Sequence, residues 1–243
     1  YVPDMAREQV TAWRPEVPGV TEVLHAHFTD HAYPAHVHET WTLLLVDTGG
    51  VEYALDGHRH DAVPGSVTVL PPDVPHDGHA ALTSGFDKRV VYVDDRWLSR
   101  GLLGRAAGRP TVPGADLTAA VARLHAALVQ PGAELEAESR LALVADQVGV
   151  RLGAGAEPGS TGRSPRVAAV VRDRLDAEGV PPSLEELATE LGVHPTHVVR
   201  AFRREYGIAP HQYLTGRRVD RARRMLLAGQ AAADVAVAVG FHD

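Results

Sequence analysis

Residues 184–204 read Leu-Glu-Glu-Leu-Ala-Thr-Glu-Leu-Gly-Val-His-Pro-Thr-His-Val-Val-Arg-Ala-Phe-Arg-Arg. Leu184, Leu187, Ala188 and Leu191 share one face of a short helix, which predicts a helix over 184–191. Ser183 followed three residues later by Glu186 is a capping box for its start. Gly192 supplies the left-handed residue that ends it. A second helix opens at Pro195, with Val198, Ala201, Phe202 and Tyr206 on its buried face. That leaves Thr196, His197, Val199, Arg200, Arg203 and Arg204 facing outward. A helix, a glycine turn and an arginine-rich helix form a helix-turn-helix, whose second helix enters a DNA major groove. Arg200 suits a bidentate contact to a guanine edge, and Thr196 and Val199 suit thymine methyls. Arg203 and Arg204, further along, suit phosphates. The plain alternative for an arginine stripe is a solvated face; the coincidence of box, turn and stripe favours DNA.

Charge is divided along the chain. The whole sequence of 243 residues carries a net −7, but residues 1–162 hold 12 Lys/Arg against 21 Asp/Glu. Residues 200–224 hold eight arginines against Glu205 and Asp220. Exposed charges are screened beyond about 8 Å at physiological salt, so the acidic half does not prevent phosphate contact by the basic segment. Lys88 is the only lysine, a bias read here as genome composition. With no cysteine, disulfides and thiolate metal sites are excluded, and His and carboxylate remain as metal ligands. No apolar run approaches the roughly 20 residues of a membrane span and no signal peptide opens the chain. A cytoplasmic protein without membrane association is expected.

Beyond the second helix, a long helix runs from Ile208 to near Gly229, and residues 232–241 repeat the Leu-Ala-Leu-Gly rhythm of 187–192. Upstream, Ser164 and Pro165 open a helix to about residue 178, and the Gly/Ala/Ser-rich stretch 154–164 reads as a linker. Leu117, Val121, Leu124 and Leu128, then Leu141, Val144, Val148 and Leu152, mark two helices separated by Pro131-Gly132. Glu134, Glu136 and Glu138 read as a solvated face. Residues 20–95 read as strands: 41–46, 51–55, 66–70 and 88–93, with a hairpin turn at Asp56-Gly57. Short strands at this spacing predict a sandwich or barrel. The fold class expected is α+β in two domains: a β-barrel with helices, then an all-α helix-turn-helix domain. The boundaries expected are 1–112 for the barrel, 113–153 for a helical segment, 154–164 for the linker and 165–243 for the DNA-binding domain.

The C-terminal pattern closely resembles the AraC-type (arabinose-regulator) family of bacterial transcription factors. The matching residues are Leu187-Ala188, Gly192, Pro195, Arg200, Phe202, Gly207, Pro210, Tyr213, Arg217, Arg221-Ala222, Leu226-Leu227, Val235-Ala236 and Val239-Gly240-Phe241. The resemblance implies two helix-turn-helix units joined by the long helix, reading successive major-groove segments of double-stranded DNA. It places the second recognition helix just after Asp243, so the gene product is expected to run on. His194 replaces the usual Ser or Thr N-cap of the first recognition helix, which is expected to weaken its capping.

In the strand-rich half, His36-Val-His38 would place two imidazoles on one strand face, and His76 would come from a neighbouring strand. Three histidines can form a facial site for Zn²⁺, Ni²⁺, Fe²⁺ or Mn²⁺. This resembles the two cupin motifs, the usual sensor domain of AraC-type regulators. It departs from metal-binding cupins in lacking their glutamate, since Thr42 and Leu43 stand at the corresponding positions. The metal set expected is His36, His38 and His76, with His27 or His79 as substitutes; the alternative is that these histidines line a polar effector pocket. Trp41 and Tyr53 are expected to line that pocket, with plain core as the other reading of both. The resemblance implies dimerisation through the helices at 117–152; packing against the barrel alone is the alternative. The function expected is a DNA-binding regulator, not an enzyme, controlled by a small effector or metal and acting as a homodimer. The rival is a metal-dependent cupin enzyme with a vestigial DNA-binding domain.

Overall fold

Alternation along the strands explains how the first half folds. The computed structural model describes residues 8–29, 31–153, 164–177 and 180–240. The chain divides into two compact units, residues 1–125 with 144–157 and residues 126–143 with 158–243. In the first, ten strands among the described residues form two sheets. The larger takes β1 (Gln9–Trp13), β2 (Val20–Phe28), β9 (Phe86–Val93), β4 (Trp41–Thr48), β7 (Ser66–Leu70) and β10 (Thr111–Pro113), in that spatial order. The smaller takes β3 (Ala32–His36), β8 (His76–Ala80), β5 (Val51–Leu55) and β6 (His58–Ala62). The β5–β6 turn has positive φ at both Asp56 and Gly57, the conformation a two-residue hairpin favours.

Register fixes which side chains look where, because successive residues point to opposite faces. Val23, Val91, Leu43 and Val69 lie in one row across four strands, and none is exposed. The adjacent row, Leu24, Val90, Leu44 and Thr68, points to the other face, toward the smaller sheet. Both faces of β4 are therefore buried, which is why its sequence is a continuous apolar run rather than an alternating one. The outer face carries His25, whose ring nitrogen meets that of His125 at 3.1 Å. His125 lies on α2 (Ala115–Val129), so this helix covers that face. Burial pushes His125 down to about 3, with Arg89 and then His25 adding to the shift, so the pair is uncharged at neutral pH.

A short helix α1 (Leu103–Gly108) precedes α2, and α3 (Glu134–Arg151) follows it after Pro131-Gly132. The helical unit adds α4 (Ser164–Asp176), α5 (Leu184–Leu191), α6 (Pro195–Tyr206), α7 (Pro210–Leu227) and α8 (Ala232–Val239). The α+β class and the two-part layout expected from the sequence hold. Of the stretch expected to be a linker, 154–163 lies outside the described residues, as do Phe241, His242 and Asp243.

The tip of the α2–α3 hairpin belongs with the C-terminal helices, and this corrects the reading of Glu138. Its side chain is 1% exposed rather than solvated. Its Oε2 accepts from the backbone N–H of Leu184 at 2.5 Å and of Glu185 at 3.2 Å. Ser183 Oγ accepts from Glu186 N, and the Glu186 side chain returns to Ser183 N. The orphan donors of the first turn of α5 are thereby satisfied from two sources.

Gly192 ends α5 with φ +62°, and Gly240 ends α8 with φ +76°, so both predicted turns adopt the left-handed conformation. Nothing lies within 4 Å of a Cβ added at Gly192 or at Gly216 within α7. Only backbone preference then distinguishes the two sites. Gly192→Ala is expected to destabilise the helical unit by about 1–2 kcal/mol, and Gly216→Ala to stabilise it by about 0.5–1 kcal/mol. Urea unfolding followed by circular dichroism at 222 nm checks the opposite signs.

Candidate ligand cavity and DNA-reading helix

Between the two sheets lies a cavity of about 110 Å³. Leu24, Leu44, Val51, Leu70 and Val90 form its apolar walls, and Thr42, Tyr53, Thr68, Asp77, Lys88 and Tyr92 bring polar groups to it. His36, His38 and His76 line it together, and one ligating nitrogen of each lies within 4.8 Å of the others. β3 ends at His36, so His38 reaches the cluster from the connection to β4 rather than from the same strand. A hydrogen bond from Asp73 N to the His38 carbonyl, 2.8 Å, holds that connection.

The tautomers follow from the backbone. His36 Nδ1 lies 2.7 Å from the Pro34 carbonyl, and His76 Nδ1 lies 3.1 Å from the Val74 carbonyl. A carbonyl only accepts, so Nδ1 donates in each ring and Nε2 keeps its lone pair. Burial, then His76 and His36, push His38 down to about 4; burial also lowers His76. His38 and His76 are thus neutral at physiological pH, as metal ligation requires. A tetrahedral Zn²⁺ with Zn–N near 2.0–2.1 Å needs its nitrogens roughly 3.3 Å apart, so small side-chain movements suffice. The three residues fit a divalent metal with open positions.

In the helical unit, α6 packs against both α4 and α5. Its capping is better than expected: His194 Nδ1 accepts from the backbone N of Thr196 at 3.2 Å and lies 2.8 Å from its hydroxyl. Arg200, Arg203 and Arg204 are exposed, while Thr196 and His197 are half-buried. Phe202 is fully buried and meets the rings of Tyr206 and Tyr213. Tyr213 OH donates to Asp176 at 3.0 Å, and Arg217 pairs with the same carboxylate at 2.9 Å, joining α7 to α4.

A family model described as an AraC-like ligand binding domain matches residues 18–145, more than half of the chain. A second, a helix-turn-helix domain, matches residues 187–243. The chain belongs to the AraC-type family of transcription regulators. No curated protein matches it. Among solved structures, it is similar to the AraC-like transcriptional activator CuxR, at 16% identity and a TM-score of 0.49, over 93% of this chain and 86% of that one. It is also similar to a cupin superfamily protein from Desulfitobacterium hafniense, at 18% identity and a TM-score of 0.32, over 37% of this chain and 80% of that one. KdgF from Halomonas sp. matches at 19% identity and a TM-score of 0.31, over 35% of this chain and 78% of that one.

Several site residues expected from this regulator's sequence fall together, and two do not. His36, His38 and His76 converge on one cavity. The substitutes are engaged elsewhere: His27 Nδ1 lies 2.8 Å from Asp87, and His79 pairs with Glu52 at 3.4 Å. Tyr53 lines the cavity, but Trp41 does not. Trp41 pairs with Val93 and points to the opposite face of the sheet, where it is fully buried core. Val199 is likewise core at 1% exposure and cannot face outward, because α6 is packed on two sides and its buried arc includes 199. Missed from the sequence were Lys88 and Tyr92, which share the inward face of β9 with Val90. Their signal was the alternation Lys88-x-Val90-x-Tyr92; a lone lysine in a strand reads as solvent-facing.

Proposed function

We propose that this regulator binds double-stranded DNA through α6 and that a small effector or a divalent metal in the cavity controls that binding. The observation that carries the reading is the set of three exposed arginines on α6, which follows a capped helix and a left-handed glycine turn. Arg200 reads a base edge, while Arg203 and Arg204 anchor to phosphates. Thr196 and His197 sit at the start of the same helix, where backbone and side chains approach the groove. The cavity supports the sensing half, since a buried polar group is costly unless hydrogen-bonded and the Thr42 hydroxyl that lines it has no partner in the protein. Control requires the effector to bind more tightly to one DNA-binding state than to the other. The reading includes a cytoplasmic homodimer and no catalysis. Among the described residues no helix is long and apolar enough to cross a membrane.

Selection from a random duplex library, followed by fluorescence anisotropy at two or more salt concentrations, tests the reading. Arg200→Ala is expected to weaken the selected site about 5- to 100-fold and to relax the preference at one base. Arg203→Ala is expected to weaken all sequences alike and to lower the salt slope by about one. Equal loss from both variants across all sequences would overturn base reading by Arg200. Light scattering reads the oligomeric state, and iron-dependent turnover without specific DNA binding would favour the enzyme reading instead.

A further inference from the structure

The cavity contains a cation that its histidines do not need. Lys88, the only lysine of the chain, points inward from β9. Its described partners are aromatic rings: the ammonium lies 4.1 Å from the centre of Tyr33, 5.6 Å from Phe28 and 6.0 Å from Phe86. Among the described residues no carboxylate lies within ion-pair distance of it. Asp77 also lines the cavity, but its Oδ1 accepts from the Ala54 backbone N–H at 2.7 Å, and its field is felt at His76. Burial lowers Lys88 to about 8, which still leaves it mostly charged at neutral pH. Lys88 is half-buried, and a charge partly withdrawn from water without a counter-charge carries a cost that ring faces offset only in part.

A second group points the same way. Thr42 is 4% exposed and lines the cavity, yet its hydroxyl has no hydrogen-bond partner. Such orphaned buried groups are uncommon in the absence of a ligand. His38 and His76 feel the Lys88 charge, so the ammonium and the histidine cluster address the same small space. Its size limits the occupant. At about 110 Å³ it is smaller than the 150 Å³ cavity that admits benzene, which sets a limit of roughly six non-hydrogen atoms.

We infer that the cavity takes a small organic carboxylate of two to four carbons, its charge met by the Lys88 ammonium and an oxygen hydrogen-bonded by the Thr42 hydroxyl. This rests on the proposal that the cavity is the effector site, and it adds the sign and size of the effector. His38, whose ring no backbone carbonyl holds, can donate to a remaining carboxylate oxygen, while the Nε2 lone pairs of His36 and His76 can accept only from a hydroxyl of the ligand. Lys88 acts as the selector between acids and their uncharged analogues.

The test is calorimetric titration of the full chain with paired probes: lactate against lactamide, and pyruvate against pyruvamide. The acids are expected to bind at least tenfold more tightly than their amides, and Lys88→Met to remove that difference. Thr42→Val is expected to weaken the acids by several-fold. Mass spectrometry after acetylation locates the site, because bound lactate or pyruvate should protect the only lysine. Lys88→Met removes a half-buried charge and is expected to fold; should it not, the acid–amide comparison and the protection in the wild type decide. Amides that bind as tightly as acids would overturn the charge assignment and leave the effector cavity standing. Acids that bind without protecting Lys88, or equally well to Lys88→Met, would overturn it as well. Failure of all four probes would overturn the inference; DNA binding that responds to a different ligand would then show that the regulator reading survives.

Discussion

Wild-type protein equilibrated with Zn²⁺ or Ni²⁺ is expected to hold about one metal per chain, and the His36→Ala/His38→Ala variant to hold none. The expectation follows from three nitrogens within 4.8 Å of one another and from two rings whose Nδ1 is already held by backbone carbonyls. A ligand whose second nitrogen is fixed loses little freedom on binding metal, and this orientation alone is typically worth 10- to 100-fold in affinity. Removing one ligand of three should cost at least about 100-fold, and removing two should abolish stoichiometric binding. Elemental analysis of dialysed protein reads the ratio directly. His27→Ala is the control, since His27 is bound to Asp87 and should leave the metal content unchanged. Absence of metal in the wild type after soaking would reject the metal site and leave the cavity to organic ligands alone. The same titration, read by DNA affinity, shows whether the metal belongs to sensing or only to folding.

The helix-turn-helix was legible because its signals are local. A capping box, a glycine needing positive φ and a proline at the first helical position act within a few residues, and each appears where expected, at Ser183–Glu186, Gly192 and Pro195. The histidine cluster was legible in membership but not in geometry: His38 arrives from a connection, not from the strand that carries His36. What failed were two decisions about side, at Trp41 on β4 and at Val199 on α6. Strand β4 is apolar at every position from 41 to 46 apart from Thr42, so nothing in its pattern says whether Trp41 or Thr42 meets the cavity. Pairing with β9 and β7 decides it, and pairing is non-local. Helix α6 shows the same ambiguity at Val199, where packing by two neighbouring helices widens the buried arc. Lys88 was passed over for a different reason. A lysine in a strand ordinarily faces solvent, and the rings and cavity that Lys88 meets are assembled only by the fold.

Glu138 is the other residue whose placement contradicts its type, and replacing it is expected to raise stability in a pH-dependent way. Burial raises its carboxyl to about 7 from an ordinary 4.5, against the two backbone N–H groups of α5 that favour the charged form. A folded-state value above the unfolded one means that the native state binds the proton more tightly. The stabilisation is present in full below about pH 4.5 and is lost as pH rises through about 7. A shift of that size corresponds to about 3 kcal/mol between pH 4.5 and pH 8. Glu138→Gln keeps an oxygen acceptor for Leu184 N–H and removes the charge. It should match the wild type near pH 4.5 and exceed it by up to about 3 kcal/mol at pH 8. Glu138→Ala removes the acceptor and should cost about 2–4 kcal/mol at low pH, with a smaller loss at pH 8. His211, lowered to about 4 by burial, titrates in the same helical unit with the opposite slope, so the informative quantity is the difference between wild type and variant at each pH. The three tryptophans, at positions 13, 41 and 97, lie in the strand-rich unit. Fluorescence therefore follows that unit while far-ultraviolet circular dichroism is dominated by the helices, and the effect should appear in the second signal. A difference between Glu138→Gln and wild type that does not change with pH would reject the buried-carboxyl account. Should the slope appear, Glu138 on α3 is a protonation-sensitive cap on the first helix of the DNA-reading motif.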